Sequence, residues 1–376
     1  MRHRSMSLAV LTLLIALSHV ACAHEPIVVA SGGNSQAPKQ PQMAMGANED
    51  VHLVFGVGDG VQYARSSNSG ETFGKPIQAF RVSNLSLGMR RGPRIATTKD
   101  AIVVTAIGGR IGKGRDGDVL SWRSTDDGMT WQGPVRVNDA ADSAREGLHA
   151  MASGENGSVW CVWLDLRDNK AEIYAARSMD SGASWEPNIR VYHSPDGNVC
   201  ECCHPSVIVA NNGLHVMFRN SLAGNRDMYV TSSVDDGKSF TPAKKLGHGT
   251  WHLDACPMDG GMLTVNGSGQ INTVWRREGN IYMAMNTDSP EVLLGRGRQP
   301  WIASAKDGPC IVWADDKDNV LMFQRSGSHS ARKLAAGGRD PVIVTSVDER
   351  GCIIACWESR KGSETDIVVQ RLDEIK

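Results

Sequence analysis

The chain has 376 residues, and its 40 Lys and Arg against 41 Asp and Glu leave a formal net charge of −1. This balance gives no global electrostatic support for binding nucleic acid, so we expect no nucleic-acid partner. The length would accommodate two domains, but a repeat fold can use it as one closed unit.

Residues 1–23 have the pattern of a secretory signal peptide. Basic residues precede an apolar run at 8–20, and an Ala-Cys-Ala cleavage motif follows. We therefore predict export to the periplasm or the medium. Lipid anchoring at Cys22 is the less favoured alternative, because His19 stands where a lipoprotein signal has an aliphatic residue. No later stretch is long and apolar enough to cross a bilayer.

The remaining chain alternates short apolar runs with turn signals and has no segment of helical period. The clearest runs predict the second strands of seven units, at 51–55, 102–105, 159–163, 214–218, 271–275, 311–314 and 352–357. Third strands are predicted at 61–65, 119–123, 173–177, 228–232, 281–285, 320–324 and 367–372. The last unit lacks a strand, which an unassigned run at 26–30 could supply.

An eight-residue pattern recurs at four of the turns that follow third strands. It runs from Ser124 to Trp131 and returns at 178–185, at 233–240 and, in weaker form, at 66–73. Asp or Asn can hydrogen-bond the backbone of its own turn, Gly tolerates positive φ, and the final aromatic can anchor the turn on apolar surface. The spacing is typical of a blade or solenoid repeat.

These motifs resemble the Asp box, S-x-D-x-G-x-[TS]-[WF], of the bacterial neuraminidase repeat in sialidases and other β-propellers. The resemblance implies an all-β propeller, and the seven units predict seven four-stranded blades, with six as the alternative. We expect one domain over residues 24–376, monomeric, with the ring closed by the N-terminal strand because closure removes exposed sheet edges. The chain also resembles exported sialidase-like proteins of poorly characterised activity, and the box itself specifies no function.

Propeller topology places the box turns on one face and the connections between blades on the other, where a ligand funnel is expected. Arginines are concentrated in those connections. Arg94, Arg298 and Arg339 each lie near a Pro at the start of an inner strand, so we expect them to point into the funnel. Together with Arg226 they are candidates for binding the carboxylate of an acidic glycan. The alternative is that they form structural or solvated ion pairs.

The family resemblance implies two kinds of enzyme. Sialidases use three arginines on the substrate carboxylate, a Tyr with a Glu partner as nucleophile and an Asp as acid/base, but this chain has no Tyr after Tyr282. Polysaccharide lyases on seven-bladed propellers use a His and a Tyr. The candidate catalytic residues, for an exo-sialidase-like glycosidase or a lyase, are His149, Tyr192, His252 and Asp254. For each residue the alternative is a hydrogen-bonding surface role.

Sulfur and imidazole side chains are concentrated in the connections that enter two adjacent blades. The candidate ligands for copper or zinc are Cys200, Cys202, Cys203, His204, His252, Cys256 and Met258. A Met ligand favours soft copper(I). Disulfides are the favoured alternative in an oxidising compartment, for example one between Cys203 and Cys256.

Three hypotheses about function follow. The leading one is an exported propeller that binds an acidic glycan in an Arg-rich funnel and could cleave it. The others are a metal-binding or redox propeller and a non-catalytic interaction scaffold.

Overall fold

Seven four-stranded antiparallel sheets form the blades of a β-propeller. The structure is a computed structural model that describes residues 24–46, 48–210, 213–328, 330–346 and 351–373. The predicted signal peptide lies outside these residues. Contacts between successive inner strands run round the ring and back from the last blade to the first. The prediction of seven blades is therefore confirmed, and the alternative of six is not.

The first three blades follow the chain order from the inner strand to the outer strand. Blade 1 contains β2 (Lys39–Met45), β3 (Val51–Val57), β4 (Gly60–Ser66) and β5 (Ile77–Arg81). Blade 2 contains β6 (Arg94–Thr97), β7 (Ile102–Gly108), β8 (Asp118–Ser124) and β9 (Gln132–Arg136). Blade 3 contains β10 (His149–Ser153), β11 (Val159–Asp165), β12 (Glu172–Ser178) and β13 (Ile189–Tyr192).

The next three blades repeat this arrangement. Blade 4 contains β14 (Ser206–Ala210), β15 (Gly213–Arg219), β16 (Met228–Ser233) and β17 (Lys244–Lys245). Blade 5 contains β18 (Met262–Val265), β19 (Ile271–Arg277), β20 (Asn280–Ala284) and β21 (Val292–Arg296). Blade 6 contains β22 (Arg298–Ala305), β23 (Gly308–Asp315), β24 (Val320–Arg325) and β25 (Arg332–Ala336).

Blade 7 combines both ends of the described chain. It contains β26 (Gly338–Thr345), β27 (Ile353–Lys361), β28 (Glu364–Arg371) and, as its outer strand, β1 (Ile27–Gly33). β1 pairs antiparallel with β28, from Ile27 opposite Val369 to Gly33 opposite Glu364. The N-terminal strand therefore closes the ring, as predicted. Helical structure in the described residues consists of short 3-10 turns at Asn34–Gln36 and Glu155–Gly157. The described residues form no helix that is long and apolar enough to cross a membrane.

The hydrophobic cores lie between neighbouring blades. Trp163 of blade 3 is fully buried in one cluster with Ile107 and Val119 of blade 2. The second strands supply most of this buried surface because they run through the middle of each blade with apolar residues on both faces. Each blade thus depends on its neighbours for its core.

The Asp boxes form the turns predicted for them. In blade 2, Ser124 donates to Asp126 Oδ1 at 2.7 Å and accepts the Gly128 N–H at 2.9 Å, while Asp126 accepts the Thr130 N–H at 2.9 Å. The same bonds recur in the other three boxes. The aromatic at the end of this box, Trp131, packs edge-on against Tyr63 of blade 1. The box therefore closes a hairpin and also fastens it to the preceding blade.

We expect the box to make stability depend on acid pH. Hydrogen bonds from Thr130 lower the pKa of Asp126 to about 2, below the roughly 3.9 of an unfolded Asp. The carboxylate therefore stabilises the folded state above about pH 4, and this contribution is lost as the pH falls toward 2. Asp126→Asn should lower the melting temperature by roughly 1–3 °C at pH 7, and the difference from wild type should shrink below pH 4. Asp127→Asn, outside the box hydrogen bonds, is the control, and an equal pH dependence there would contradict the interpretation.

Candidate functional site

The two faces of the ring have different structures, and we name them by what they carry. The box face carries the box turns and the turns between first and second strands. The loop face carries the connections between blades and the loops between second and third strands. All the residues selected from the sequence as catalytic, anion-binding or metal-binding lie in segments of the loop face.

Arg90 is one of the most deeply buried charged residues of the loop face, with 1% of its surface exposed. It comes from the connection between blades 1 and 2, and its guanidinium donates to the carbonyl oxygens of Gln299 at 2.5 Å and Pro341 at 3.2 Å. Its Nε lies 3.7 Å from Asp340 Oδ1. Burial lowers the pKa of Arg90, and the nearby carboxylates oppose that effect. Arg90 therefore links blades 1 and 2 to blades 6 and 7.

Buried acids and amides continue this bonding around the axis. The Gln299 side chain donates to Asp340 Oδ1 at 2.5 Å, and its backbone N–H donates to Asp259 Oδ2 at 2.7 Å. The Gln40 N–H donates to Glu358 Oε1 at 2.7 Å. Burial, helped by Asp340, raises the pKa of Glu358 to about 7. We call the whole set the axial hoop: Gln40, Arg90, Arg94, Asp259, Gln299, Asp340 and Glu358.

Arg94 of the axial hoop and the adjacent His149 are buried and bond to protein groups, so they do not face an open site. Arg94 is 4% exposed and donates to the carbonyl oxygens of His149, Gly92, Pro93 and Arg90. His149 is fully buried, and its Nε2 lies 3.0 Å from Thr105 Oγ1. Burial lowers the pKa of His149 well below its usual value, so this imidazole is neutral. The guanidinium that we expected to bind a ligand carboxylate thus binds the protein's own backbone.

The inner strands β22 and β26, which carry Arg298 and Arg339, begin with bulges, and Gln299 and Asp340 rather than the two arginines bond within the axial hoop. Register shifts occur between Arg298 and Trp301 and between Arg339 and Val342, and the Gln299 and Asp340 backbones have positive φ. A one-residue bulge exchanges the side chains that face each side of a strand. Gln299 and Asp340 are consequently the buried residues. Arg298, with 37% of its side chain exposed, pairs instead with Asp316 at 2.6 Å.

The other predicted catalytic residues are dispersed over the loop face. The Tyr192 hydroxyl accepts a hydrogen bond from Asn220 at 2.9 Å, which gives it a structural partner in the next blade. His252 and Asp254 are exposed. None of the four predicted catalytic residues lines one of the two cavities described below. Arg226 is half-buried and forms no ion pair with a described residue.

The structure brings four of the seven predicted metal ligands together, three cysteines and Met258. The sulfur atoms of Cys200, Cys202 and Cys203 are 3.4 to 4.0 Å apart, and all three side chains are buried. Met258 packs against them. Hydrogen bonds from Cys202 and Cys203 lower the pKa of Cys200 well below its usual range, while burial raises the pKa of Cys203. The two neighbouring thiols therefore favour the ionised form of Cys200.

The remaining predicted ligands lie outside this group. His204 is buried, and its Nδ1 accepts the Gly260 N–H at 3.3 Å. Cys256 is exposed with a free thiol, as His252 is exposed. The eight cysteines of the described residues are all free, so the suggested disulfide between Cys203 and Cys256 is not formed in this structure.

Two adjoining cavities open on the box face, not on the loop face where we expected the funnel. One, of about 520 Å³, lies between blades 3 and 4 and has Trp160, Arg177 and Asp236 in its wall. The other, of about 490 Å³, lies over the axis and is lined by turns of blades 7, 1, 2 and 3. Both share Gly154 and Asn156. The sequence offered no signal for them, because their walls come from turns that are far apart in the chain.

Sequence reasoning also missed the buried acids of the hoop. Asp259 directly follows Met258, and Glu358 directly follows the second strand predicted at 352–357. From the sequence alone, neither can be distinguished from an ordinary acidic residue in a loop or at the end of a strand. The available signal was position: both occur where strands approach the axis at the loop face.

The model of the BNR repeat-like domain matches residues 96–315, which is more than half of the chain. The chain therefore belongs to the family of BNR repeat-like domains, as its boxes indicated. Among curated proteins, the xyloglucanase Xgh74A of Acetivibrio thermocellus is 25% identical over 169 residues. That match covers 41% of this chain but only 18% of the xyloglucanase, so the chain spans a small part of that relative.

Solved structures show the same fold at low sequence identity. A protein of unknown function from Dyadobacter fermentans is 16% identical with a TM-score of 0.57, covering 93% of this chain and 98% of that one. The Penicillium chrysogenum α-L-arabinanase, solved with arabinobiose, is 15% identical with a TM-score of 0.54, covering 94% and 99%. The Trypanosoma rangeli sialidase is 13% identical with a TM-score of 0.52, covering 89% and 54%. These similarities support the sialidase-like propeller fold.

Proposed function

We propose that this protein binds a glycan in the two adjoining cavities of the box face. The observation that carries the proposal is their size and lining. At about 520 and 490 Å³, each falls within the range of roughly 300–1,000 Å³ typical of small-molecule sites. Structural neighbours that act on arabinan or sialic acid, as their names state, support a carbohydrate ligand.

The lining has the chemistry that a sugar requires. Hydroxyl and amide groups predominate around the shared wall, and the cavity between blades 3 and 4 adds apolar surface from Trp160 and Leu214. Sugar hydroxyls need donors and acceptors, while their C–H faces pack on apolar and aromatic surface. Arg177 is the cation that lines the cavity between blades 3 and 4. Its Nη1 pairs with Asp236 at 2.9 Å, and its guanidinium lies over the Trp160 ring. The pair is placed to bind hydroxyl groups.

We expect Arg177→Ala to raise the dissociation constant for the bound glycan about tenfold, which corresponds to about 1.4 kcal/mol. The measurement is calorimetric titration with arabinan, xyloglucan, sialylated and uronate oligosaccharides. Arg123→Ala is the matched control, because Arg123 occupies the equivalent position before the box of blade 2, donates to the Asp180 carbonyl oxygen and lines neither cavity. Absence of binding by wild type, or equal losses in both variants, would refute the proposal.

A second candidate, an acidic glycan bound on the loop face, rests on a different observation. Arg110, Arg115 and Arg145 of that face form no ion pair with any residue that the structure describes. The loop that carries the first two lies beside the Arg145 backbone. Guanidinium groups that are not held in a close ion pair suit a ligand carboxylate. In the same titrations, this candidate predicts binding of uronate or sialylated oligosaccharides that is lost in Arg145→Ala and retained in Arg177→Ala.

A further inference from the structure

The described residues contain one cluster of reactive side chains that the proposed glycan site does not involve, the thiols of Cys200, Cys202 and Cys203. Their sulfur atoms converge from one tight turn, in which the Cys203 N–H donates to the Cys200 carbonyl oxygen at 3.5 Å. Among the described His, Cys, Asp and Glu side chains, these three have ligand atoms that all lie within 4.8 Å of one another. We propose that the three thiols and the Met258 thioether bind one copper(I) ion.

The spacing of the sulfur atoms matches one shared ion. Metal to thiolate bonds of about 2.3 Å would place tetrahedral ligands roughly 3.8 Å apart. The three separations of 3.4, 3.6 and 4.0 Å lie around that value. A disulfide needs sulfur atoms about 2.05 Å apart. The turn therefore presents three sulfur atoms at the separation that a metal requires and a disulfide does not.

Met258 is held against the cysteines by a backbone that few residues adopt. Its φ is +57°, in the left-handed region that favours glycine. The following residues are fixed on both sides: the Arg219 guanidinium donates twice to the Asp259 carbonyl oxygen at 3.1 and 2.9 Å, and the Gly260 N–H donates to His204. A Cβ at Gly260 would lie 2.2 Å from the His204 carbonyl oxygen. The chain thus approaches the cysteine turn as closely as a glycine permits.

Arg219 supplies the charge that bound thiolates require. It is 1% exposed, its donors go to carbonyl oxygens, and it forms no ion pair with a carboxylate in the described parts of the chain. Its own carbonyl oxygen accepts the Cys200 N–H at 2.9 Å, so it lies against the turn. A buried cation needs compensating negative charge, part of which comes from the electrostatic interaction with the buried Asp259 carboxylate. An anionic copper thiolate beside Arg219 adds to that compensation.

Three thiolates and a thioether are soft ligands, which select copper(I) over the oxygen-binding divalent cations. In binding, each protonated thiol exchanges its S–H bond for an S–Cu bond and releases one proton to solvent. Copper stays monovalent and sulfur stays reduced, so no oxidant is consumed. Cys202, 6% exposed at the edge of the turn, is the point of entry.

The test is anaerobic titration of the full-length protein with copper(I) held by a chromophoric chelator, followed by native mass spectrometry and X-ray absorption at the copper edge. We expect one copper per chain with three or four sulfur neighbours. Cys202→Ala should weaken copper binding by at least about 100-fold, more than the loss of an outer-shell partner of a metal ligand. Cys256→Ala, which removes the exposed thiol of the neighbouring connection, is the matched control and should bind as wild type does.

Met258→Leu provides a variant that keeps the core volume if Cys202→Ala does not fold. It should retain one copper with about tenfold weaker binding and one sulfur neighbour fewer. Unchanged affinity and coordination in Met258→Leu would contradict the role of the thioether. The whole proposal is overturned by no copper uptake, by uptake that depends equally on Cys256, by zinc binding one equivalent where copper does not, or by a disulfide within residues 200–203 of the purified protein.

Discussion

Arg90→Ala is expected to destabilise the propeller by about 3–5 kcal/mol, the cost of removing one partner from a buried charged network. The guanidinium is 1% exposed and holds the carbonyl oxygens of Gln299 and Pro341. Its removal leaves both without that donor and leaves the Asp340 carboxylate without its buried cation. Blades 6 and 7 lose their link to the connection between blades 1 and 2, so the effect should appear as a large fall in the urea midpoint.

Arg110→Ala is the control for this prediction. Arg110 lies on the same face but is exposed and without an ion pair to a described residue, so the change should alter stability by no more than about 0.5 kcal/mol. A similar small effect for Arg90→Ala would show that the hoop carries little stability. In that case its buried charges would be better explained by a ligand than by the fold.

The second large effect is expected from Trp163→Ala, which should lower the free energy of unfolding by about 3–5 kcal/mol. Trp163 is fully buried between blades 2 and 3, and its Nε1 donates to Asp165 at 2.8 Å. Removing the indole opens a cavity at the interface of two blades and removes one donor from a buried carboxylate. The measurement is urea unfolding followed by far-ultraviolet circular dichroism.

Trp163→Phe separates the two contributions. It keeps most of the apolar volume and loses the Nε1 donor, so its loss of stability should be clearly smaller than that of the Ala variant. Equal losses would mean that the hydrogen bond to Asp165 accounts for the stability rather than the packing between blades. A loss below about 1 kcal/mol in the Ala variant would show that the neighbouring blades collapse into the space.

The glycan and copper proposals concern different parts of the molecule, which makes them separable. Arg177 lies at the cavity between blades 3 and 4 on the box face, and Cys202 lies in a connection of the loop face. A variant at one position should leave the other ligand's affinity unchanged. Loss of both on changing either residue would indicate a general folding defect, which melting curves would reveal.

The sequence by itself determined the architecture. The box at Ser124 to Trp131 and its three repeats specify turns through local hydrogen bonds, such as those of Asp126 with Thr130. The alternating apolar runs located the second strands, including β11, whose prediction at 159–163 falls within Val159–Asp165. Local chemistry and a repeating period suffice for this, because each signal lies within a few residues of the structure that it predicts.

Only the tertiary structure decided which side chains meet. The bulges at Gln299 and Asp340 brought these two residues, rather than the neighbouring arginines, into the axial hoop, and a bulge of one residue has no clear signature in a single sequence. Arg90 finds its partners more than 200 positions along the chain. Of seven predicted metal ligands, the three cysteines of one turn and Met258 came together. Period and composition identify strands and turns, whereas a site depends on side-chain direction and on contacts between distant blades, which are established only when the ring closes.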